Sequence, residues 1–250
     1  MLLKNKNVII TGTNRGIGKA ILEKCAINGA NIWAHTRKET PEFDSMIQEV
    51  SEKNNVEIRP LYFDLTDYST MRVAVKKIHA SKIPVDALIN NAGITYNALF
   101  QMSTEENLRQ QFEVNFFAPF LFTQYISKIM IKFKGGNIVN IASTAGADGN
   151  SGKSVYGASK AALITMTKAI AAELGEYNIR ANCISPGMTS TDMLNTIPSE
   201  VIRNQNKIAD IPRSGVPSEI AAAAVFLASE MSSYITGQVI HPNGGEIVNG

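Results

Sequence analysis

The stretch NVIITGTNRGIGKA, residues 7–20, decides how this chain is read. A β-branched apolar run (NVIIT, 7–11) passes directly into three glycines, Gly12, Gly16 and Gly18, and then into residues that favour a helix. Glycines at such a turn let the backbone approach a pyrophosphate closely. The helix start then adds free N–H groups and the positive end of its dipole. Two familiar phosphate-binding patterns fail here. A GxxxxGK loop ending in Ser or Thr would need glycine at Thr13, and Ala20 follows Lys19. The GxGxxG fingerprint fails because the spacing is GxxxGxG. A tight strand–helix turn with no ligand stays open as the plain alternative.

Outward from that turn, short apolar strands alternate with longer amphipathic segments along the whole chain. Strands are predicted at NVIIT (7–11), NIWAH (31–35), VEIRPLYF (56–63), DALIN (86–90), NIVNIA (137–142), IRANCIS (179–185) and QVIHP (238–242). Helices are predicted near 16–28, 42–53, 67–80, 104–132, 154–175 and 217–229. Uninterrupted apolar strands suit a parallel sheet covered on both faces, and repeated βαβ units wind such a sheet doubly. The expected fold is α/β: one Rossmann-type domain over 1–250, with a parallel sheet of about seven strands and helices on both faces. One irregular segment, about 187–216, contains Pro198, Pro212 and Pro217.

Composition narrows the class. The chain has 250 residues, is 44% hydrophobic and 18% charged, and carries a formal net charge of +2, so it can bury a large core. Basic and acidic residues are interspersed, with no block that suggests nucleic acid. MLLKNKNVII lacks the pattern of a secretory signal, and AAAAVFLAS (221–229) is too short to span a bilayer. A cytoplasmic protein without a membrane partner is expected. Cys25 and Cys183 form no CxxC pair and read as buried thiols in a reducing compartment. His35, His79 and His241 show no ligand spacing, so no metal is expected.

The stretch SVYGASK (154–160) places Tyr156 and Lys160 four residues apart, on one face of a predicted helix. A phenol titrates near about 10, and a nearby fixed cation brings it toward the range useful for proton transfer. Taken alone, Y-x-x-x-K also fits an ordinary surface helix.

The order of motifs resembles the short-chain dehydrogenase/reductase family over nearly the whole chain. The matching residues are TGxxxGIG at 11–18, Asp64 in FDL, NNAG at 90–93, Asn115, Ser143 in NIASTAG, YGASK, Pro186-Gly187, Thr191 and the late stretch YITGQVIHPNGG. The resemblance implies a nicotinamide cofactor across the carboxyl ends of the strands and a catalytic set of Asn115, Ser143, Tyr156 and Lys160. Tyr156 would give a proton to a carbonyl oxygen and Ser143 a second hydrogen bond. Lys160 would tune the phenol and hold the ribose, while Asn115 would hold a water linking Lys160 to solvent. Cofactor contacts are implied at Gly12, Asn14, Arg15, Gly16, Ile17, Gly18, Arg37, Asp64, Leu65, Asn90, Ala92 and Gly93. Tyr156, Lys160, Pro186, Gly187, Thr189 and Thr191 complete that set.

The stretch NIWAHTRKE (31–39) puts Thr36, not a carboxylate, where an NAD enzyme of the family would hold the ribose 2′-hydroxyl. With Arg37 next to it and Arg15 in the glycine turn, the expected cofactor is NADP(H). Among subgroups, NNAGITYNALFQM, SPGMTSTDM and SYITGQ resemble 3-oxoacyl-[acyl-carrier-protein] reductases. Of the basic residues with which those enzymes dock a carrier beside the site, Lys134 fills one place, and Tyr177, after Glu176, replaces the other. Asp148 and Lys153, just before Tyr156, suit a polar ketone such as a sugar or polyol. A non-catalytic NADP-binding regulator is the remote alternative. The apolar helices near 104–132 and 154–175 predict a homotetramer.

Overall fold

The computed structural model describes residues 1–192, 194 and 199–246. Seven parallel strands form one sheet: β1 (Asn7–Ile10), β2 (Asn31–Thr36), β3 (Ile58–Tyr62), β4 (Ala87–Asn90), β5 (Gly136–Ile141), β6 (Ile179–Ile184) and β7 (Val239–Ile240). Their spatial order is β3-β2-β1-β4-β5-β6-β7. The order reverses at β1, which pairs with β2 through Ile9↔Trp33 and with β4 through Ile9↔Leu88. A crevice therefore opens where the connections after β1 and β4 depart to opposite sides of the sheet.

The helices are α1 (Gly16–Ile27), α2 (Pro41–Asn54), α3 (Tyr68–Ala80), α4 (Glu105–Phe112), α5 (Ala118–Lys132), α6 (Ser154–Leu174), α7 (Ser199–Ile208) and α8 (Pro217–Ala228). Strand alternation sorts the core into two layers. Val8 and Ile10 join Ile32, Ala34, Ile89, Ile21 and Ala224 under α1 and α8. Ile9 and Trp33 join Leu88, Met71, Phe122 and Ala171 on the opposite face, under α3, α5 and α6. Ile9 is fully buried, and burying an isoleucine of that kind contributes about 1.5–3 kcal/mol.

Two segments differ from the sequence reading. The helix expected over 104–132 runs through, but one π-type turn, Glu113–Phe117, separates α4 from α5. That extra residue per turn re-aims the side chain at Asn115. The segment expected to be irregular over 187–216 contains α7. Its sequence, SEVIRNQNKI, carries only three apolar residues, and Val201 and Ile208, seven positions apart on one face, remain 47% and 63% exposed, so a short stripe was overshadowed by the surrounding prolines. Pro198, one of the prolines behind that expectation, lies outside the described residues.

Cys25 and Cys183 are free and buried, and burial pushes both thiols up to about 12. Among the described residues no helix is long and apolar enough to cross a membrane.

Candidate active site

The glycine turn is held by its neighbours. Gly12 and Gly16 take φ of +71° and +56°, the left-handed region that glycine enters without strain. A Cβ on Gly18 would overlap the Gly12 carbonyl oxygen, which accounts for a third glycine there. Asn91 Nδ2 donates to the carbonyls of Thr11 (2.9 Å) and Gly12 (3.0 Å). In return, Thr11 Oγ1 accepts from the backbone N–H groups of Asn91 (3.0 Å) and Ala92 (3.1 Å). These bonds tie the turn after β1 to the NNAG turn after β4 across the crevice.

From the other side, His35 braces the same turn. Its Nδ1 accepts from the Gly12 N–H at 3.2 Å, so its Nε2–H donates to the Phe63 carbonyl at 2.9 Å. The Gly12 N–H demands an unprotonated Nδ1, and burial pushes the ring's pKa down to about 4 against the pull of the Phe63 carbonyl. Thr13 Oγ1 donates to the His35 carbonyl at 3.0 Å. The sequence reading gave neither His35, Thr13 nor Asn91 a role. Their signal was weak, because a histidine inside a strand reads as core.

The start of α1 suits an anion. Arg15 occupies the cap position without a side-chain cap bond, and the first turn holds no acidic residue, so its N–H groups face the crevice uncapped. Together with a backbone cradle that a Cβ would fill, this fits the pyrophosphate of a dinucleotide. Arg15 is exposed and pairs with Asp192 at 3.4 Å, while a Cβ on Gly16 would stand 3.5 Å from Thr191 Cγ2. Arg37 is exposed at the end of β2, and Thr36 beside it is buried. Leu65 is buried; Asp64 Oδ1 accepts from the Thr66 N–H (2.9 Å) and hydroxyl (2.8 Å). Asn90 turns into the fold, donating to Thr123 Oγ1 and Asn140 Oδ1, both at 2.8 Å.

The four catalytic candidates lie around one point at the end of β5. Ser143 adopts extended backbone directly after the strand, and Tyr156 and Lys160 face it from the first turns of α6. Lys160 Nζ donates to the Ile141 carbonyl at 2.8 Å and lies 5.9 Å from the Tyr156 ring centroid. Gly93 makes room for this group: a Cβ there would stand 3.2 Å from Asn115 Oδ1 and 3.3 Å from Lys160 Nζ.

Asn115 spends its side chain on a neighbouring loop, not on its own helix. Its Oδ1 accepts from the Ile94 N–H (2.9 Å), and its Nδ2 donates to the Ile94 carbonyl (2.9 Å) and to Ser159 Oγ (3.0 Å). The π-type turn is what aims it there, a frequent use of such turns. Ser159 donates onward to the Tyr156 carbonyl at 2.7 Å, so Asn115 also braces the start of α6.

The electrostatics of the pair differ from the sequence expectation. Lys160 was expected to pull the phenol down. Instead, burial pushes the Tyr156 pKa up, opposed by a hydrogen bond with Ser143. Burial also brings Lys160 down to about 8, despite the nearby Cys183 thiol. Desolvation outweighs mutual attraction when both groups lie in the interior. Tyr156 therefore keeps its proton at neutral pH, the state a proton donor needs.

The substrate side is closed by irregular chain. Thr189 bridges to Gly215. The Pro242 carbonyl accepts from the Gly187 N–H (3.3 Å), and the Gly244 carbonyl from the Ile211 N–H (2.8 Å). A Cβ on Gly187 would press on the Asn243 backbone at 2.9 Å. Residues 241–246 thus strap the segment that carries α7. Lys134 and Tyr177, read above as lying beside the site, sit instead before β5 and β6, at the amino ends of the strands. Tyr156 stands at the carboxyl ends, so within one chain this pair does not border the crevice.

The ordered meeting of the glycine turn, NNAG, Ser143 and Tyr156–Lys160 agrees with sequence comparison. A family model described as Enoyl-(Acyl carrier protein) reductase matches residues 12–246. This chain belongs to the short-chain dehydrogenase/reductase family. It is 37% identical over 246 residues to 3-oxoacyl-[acyl-carrier-protein] reductase of Chlamydia muridarum, covering 98% of each chain. Among solved structures it resembles a protein assigned as a gluconate dehydrogenase from Agrobacterium tumefaciens, with TM-score 0.93 and 29% identity over 98% of this chain and 96% of that one. It also resembles a 3-oxoacyl-[acyl-carrier protein] reductase with bound NAD from Brucella melitensis, with TM-score 0.88 and 31% identity over 98% and 92%. As a member of this family the chain is an oxidoreductase that works with a nicotinamide dinucleotide.

Proposed function

We propose that the chain is an NADPH-dependent ketoreductase acting on a 3-oxoacyl thioester. The observation that carries the ketoreductase reading is the buried, protonated Tyr156 beside Ser143 and Lys160, at the mouth of a crevice with a backbone cradle. The dinucleotide supplies a hydride when bound. The uncapped start of α1 and the Gly12–Gly18 turn would hold its pyrophosphate, and Lys160 its ribose. Negative charge then develops on the substrate carbonyl oxygen. Tyr156 Oη gives that oxygen its proton, and Ser143 Oγ–H steadies it with a second hydrogen bond. Lys160 stabilises the phenolate left behind, and a water held near Asn115 returns the proton.

Arg15 and Arg37, with Thr36 in place of a carboxylate, support NADPH over NADH. The similarity to named 3-oxoacyl-[acyl-carrier-protein] reductases supports the acyl thioester. A polar ketone, a sugar or polyol derivative, is the second reading. Lys153 beside Tyr156, Glu246 acting on Lys153, and Asp148 acting on His241 favour it, and so does the likeness to the Agrobacterium protein. A panel of acetoacetyl thioesters, simple β-ketoesters and keto-sugars, with NADPH oxidation as readout, separates the two. Activity confined to keto-sugars overturns the acyl reading and leaves the mechanism standing.

We assign the working form as a cytoplasmic homotetramer. Phe117 and Phe120 remain 46% and 42% exposed beside Phe116, which supports a further buried contact through α4 and α5. Light scattering at low micromolar concentration tests it, and a single species at the 27.1 kDa chain mass defeats it.

A further inference from the structure

Two ammonium groups flank the Tyr156 ring, although the family motif requires only one. Lys153, Tyr156 and Lys160 stand at i−3, i and i+4 around the start of α6, and so share a face. Each Nζ lies 5.9 Å from the ring centroid. Lys160 spends a hydrogen bond on the Ile141 carbonyl. Lys153 sits where a lysine serves the helix badly. It occupies the cap position of α6 with no side-chain cap bond, at the positive end of the helix dipole. Ser, Thr, Asp or Asn would suit that place better. A residue that opposes its local structure points to a use elsewhere.

We propose that Lys153 is a second positive charge acting on the Tyr156 hydroxyl: a positioning residue that favours the phenolate through the ring face, in addition to Lys160. The proposal rests on the ketoreductase reading for its purpose but not for its geometry. A cation over an aromatic face is attracted by the ring, and more strongly once the ring carries a phenolate charge.

The charged and titratable groups around this pair come from five segments. Ser143 faces Tyr156 from the end of β5, and Lys160 from α6; Cys183 on β6 faces Lys160. Glu246, on the strap after β7, attracts Lys153. Asp148, in the loop before α6, attracts His241 on the same strap. Glu246 thus offsets part of the lowering that partial burial imposes on Lys153. Opening of the strap, which also holds Gly187 and Ile211, would weaken that hold and with it the field on Tyr156.

The test reads the phenol directly. The chain is produced with fluorinated tyrosine, whose electron-poor ring titrates nearer neutrality, and fluorine NMR follows each ring with pH. The Tyr156→Phe variant assigns the signal. In Lys153→Met and Lys153→Gln, the Tyr156 midpoint should rise by about one pH unit, a tenfold change in the proton equilibrium. Lys153→Arg should leave it in place. Unchanged signals from the other tyrosines show that the fold is kept. An unmoved midpoint in both neutral variants overturns the proposal. So does an equal shift in the arginine variant, because charge would then not be the cause. On the ketoreductase reading, ketone reduction and the reverse alcohol oxidation should fall together in Lys153→Met, by up to about tenfold from the unmutated level, because both pass through the developing phenolate. If the fluorine midpoint moves and no ketone is reduced, the functional reading fails and this one stands.

Discussion

The two halves of the crevice are built by different means. Around β1, β2 and α1 the site is backbone: positive-φ glycines, uncapped helix N–H groups and carbonyls held by Asn91 and His35. Around residues 144–155, 187–216 and 241–246 it is side chains on irregular chain, with Asp148 and Lys153 drawn from the first segment and His241 and Glu246 from the last. A backbone site tolerates little change, because each glycine answers a specific close approach. A side-chain site can be altered one residue at a time without disturbing the sheet. The first half suits a ligand shared by a whole family, and the second suits a substrate peculiar to one member.

The sharpest way to break this division is at the residue standing between the halves. Tyr156→Phe removes only the hydroxyl, so turnover should fall by about 10²–10⁴-fold. Dinucleotide binding, carried by the backbone half, should stay within a factor of about two, because loss of the transferring group alone leaves ground-state binding in place. Turnover in steady state and titration of cofactor fluorescence give the two numbers. Near-normal turnover in the variant would remove Tyr156 as the acid. A parallel loss of cofactor binding would mean that the halves are not separable.

The second test bears on the backbone half alone. His35 must be neutral to accept from Gly12 and donate to Phe63, and its pKa falls from 6.5 to about 4 in the fold. The unfolded chain therefore binds more protons between those values. The stabilisation is complete above pH about 6.5 and is lost as pH falls toward about 4, amounting to about 3 kcal/mol for the whole shift. Urea denaturation at pH 7 and pH 5 should show the loss, and His35→Gln should flatten it. A flat profile in the unmutated chain would mean that protonated His35 finds another place.

The same contrast explains what was legible in the sequence. Backbone sites write themselves as glycines and strand–helix punctuation, so the turn at 12–18 and the seven strands could be read directly, while NNAG was recognised through the family resemblance. Tyr156 and Lys160 were read from their i,i+4 spacing and Ser143 from the family resemblance, and the structure brings the three together. The braces were not legible: His35 and Asn91 are recognised only when the partner carbonyls and N–H groups are known, and those lie across the sheet. The π-type turn at Asn115 adds one residue to a helix without changing its apolar pattern. α7 was hidden by the prolines around it and by the shortness of its apolar stripe, three residues in SEVIRNQNKI. Lys134 and Tyr177 were misplaced because their position in sequence says nothing of which end of the sheet they occupy.

The smallest expected effect falls at the outer edge of the backbone half, where recognition passes to side chains again. Arg15 and Arg37 are both exposed, and Arg15 is paired with Asp192 at 3.4 Å. An exposed ion pair of that kind contributes only about 0–1 kcal/mol, so exchanging Asp192 for a 2′-phosphate costs Arg15 little. A guanidinium–phosphate bond is stronger than one to a neutral hydroxyl, which sets the direction: NADPH should bind about tenfold more tightly than NADH. Arg37→Ala should reduce that ratio, mostly by weakening NADPH, and NADH affinity should hardly move. Asp192→Asn should raise NADPH affinity slightly, because Arg15 is then released without competition. Titrating both reduced cofactors by fluorescence at low and high salt reads all three effects, and added salt should narrow the preference. Equal affinity for the two cofactors in the unmutated chain would sink the NADP assignment. It would also show that Thr36, buried between the two arginines in sequence, leaves the ribose edge without a reader.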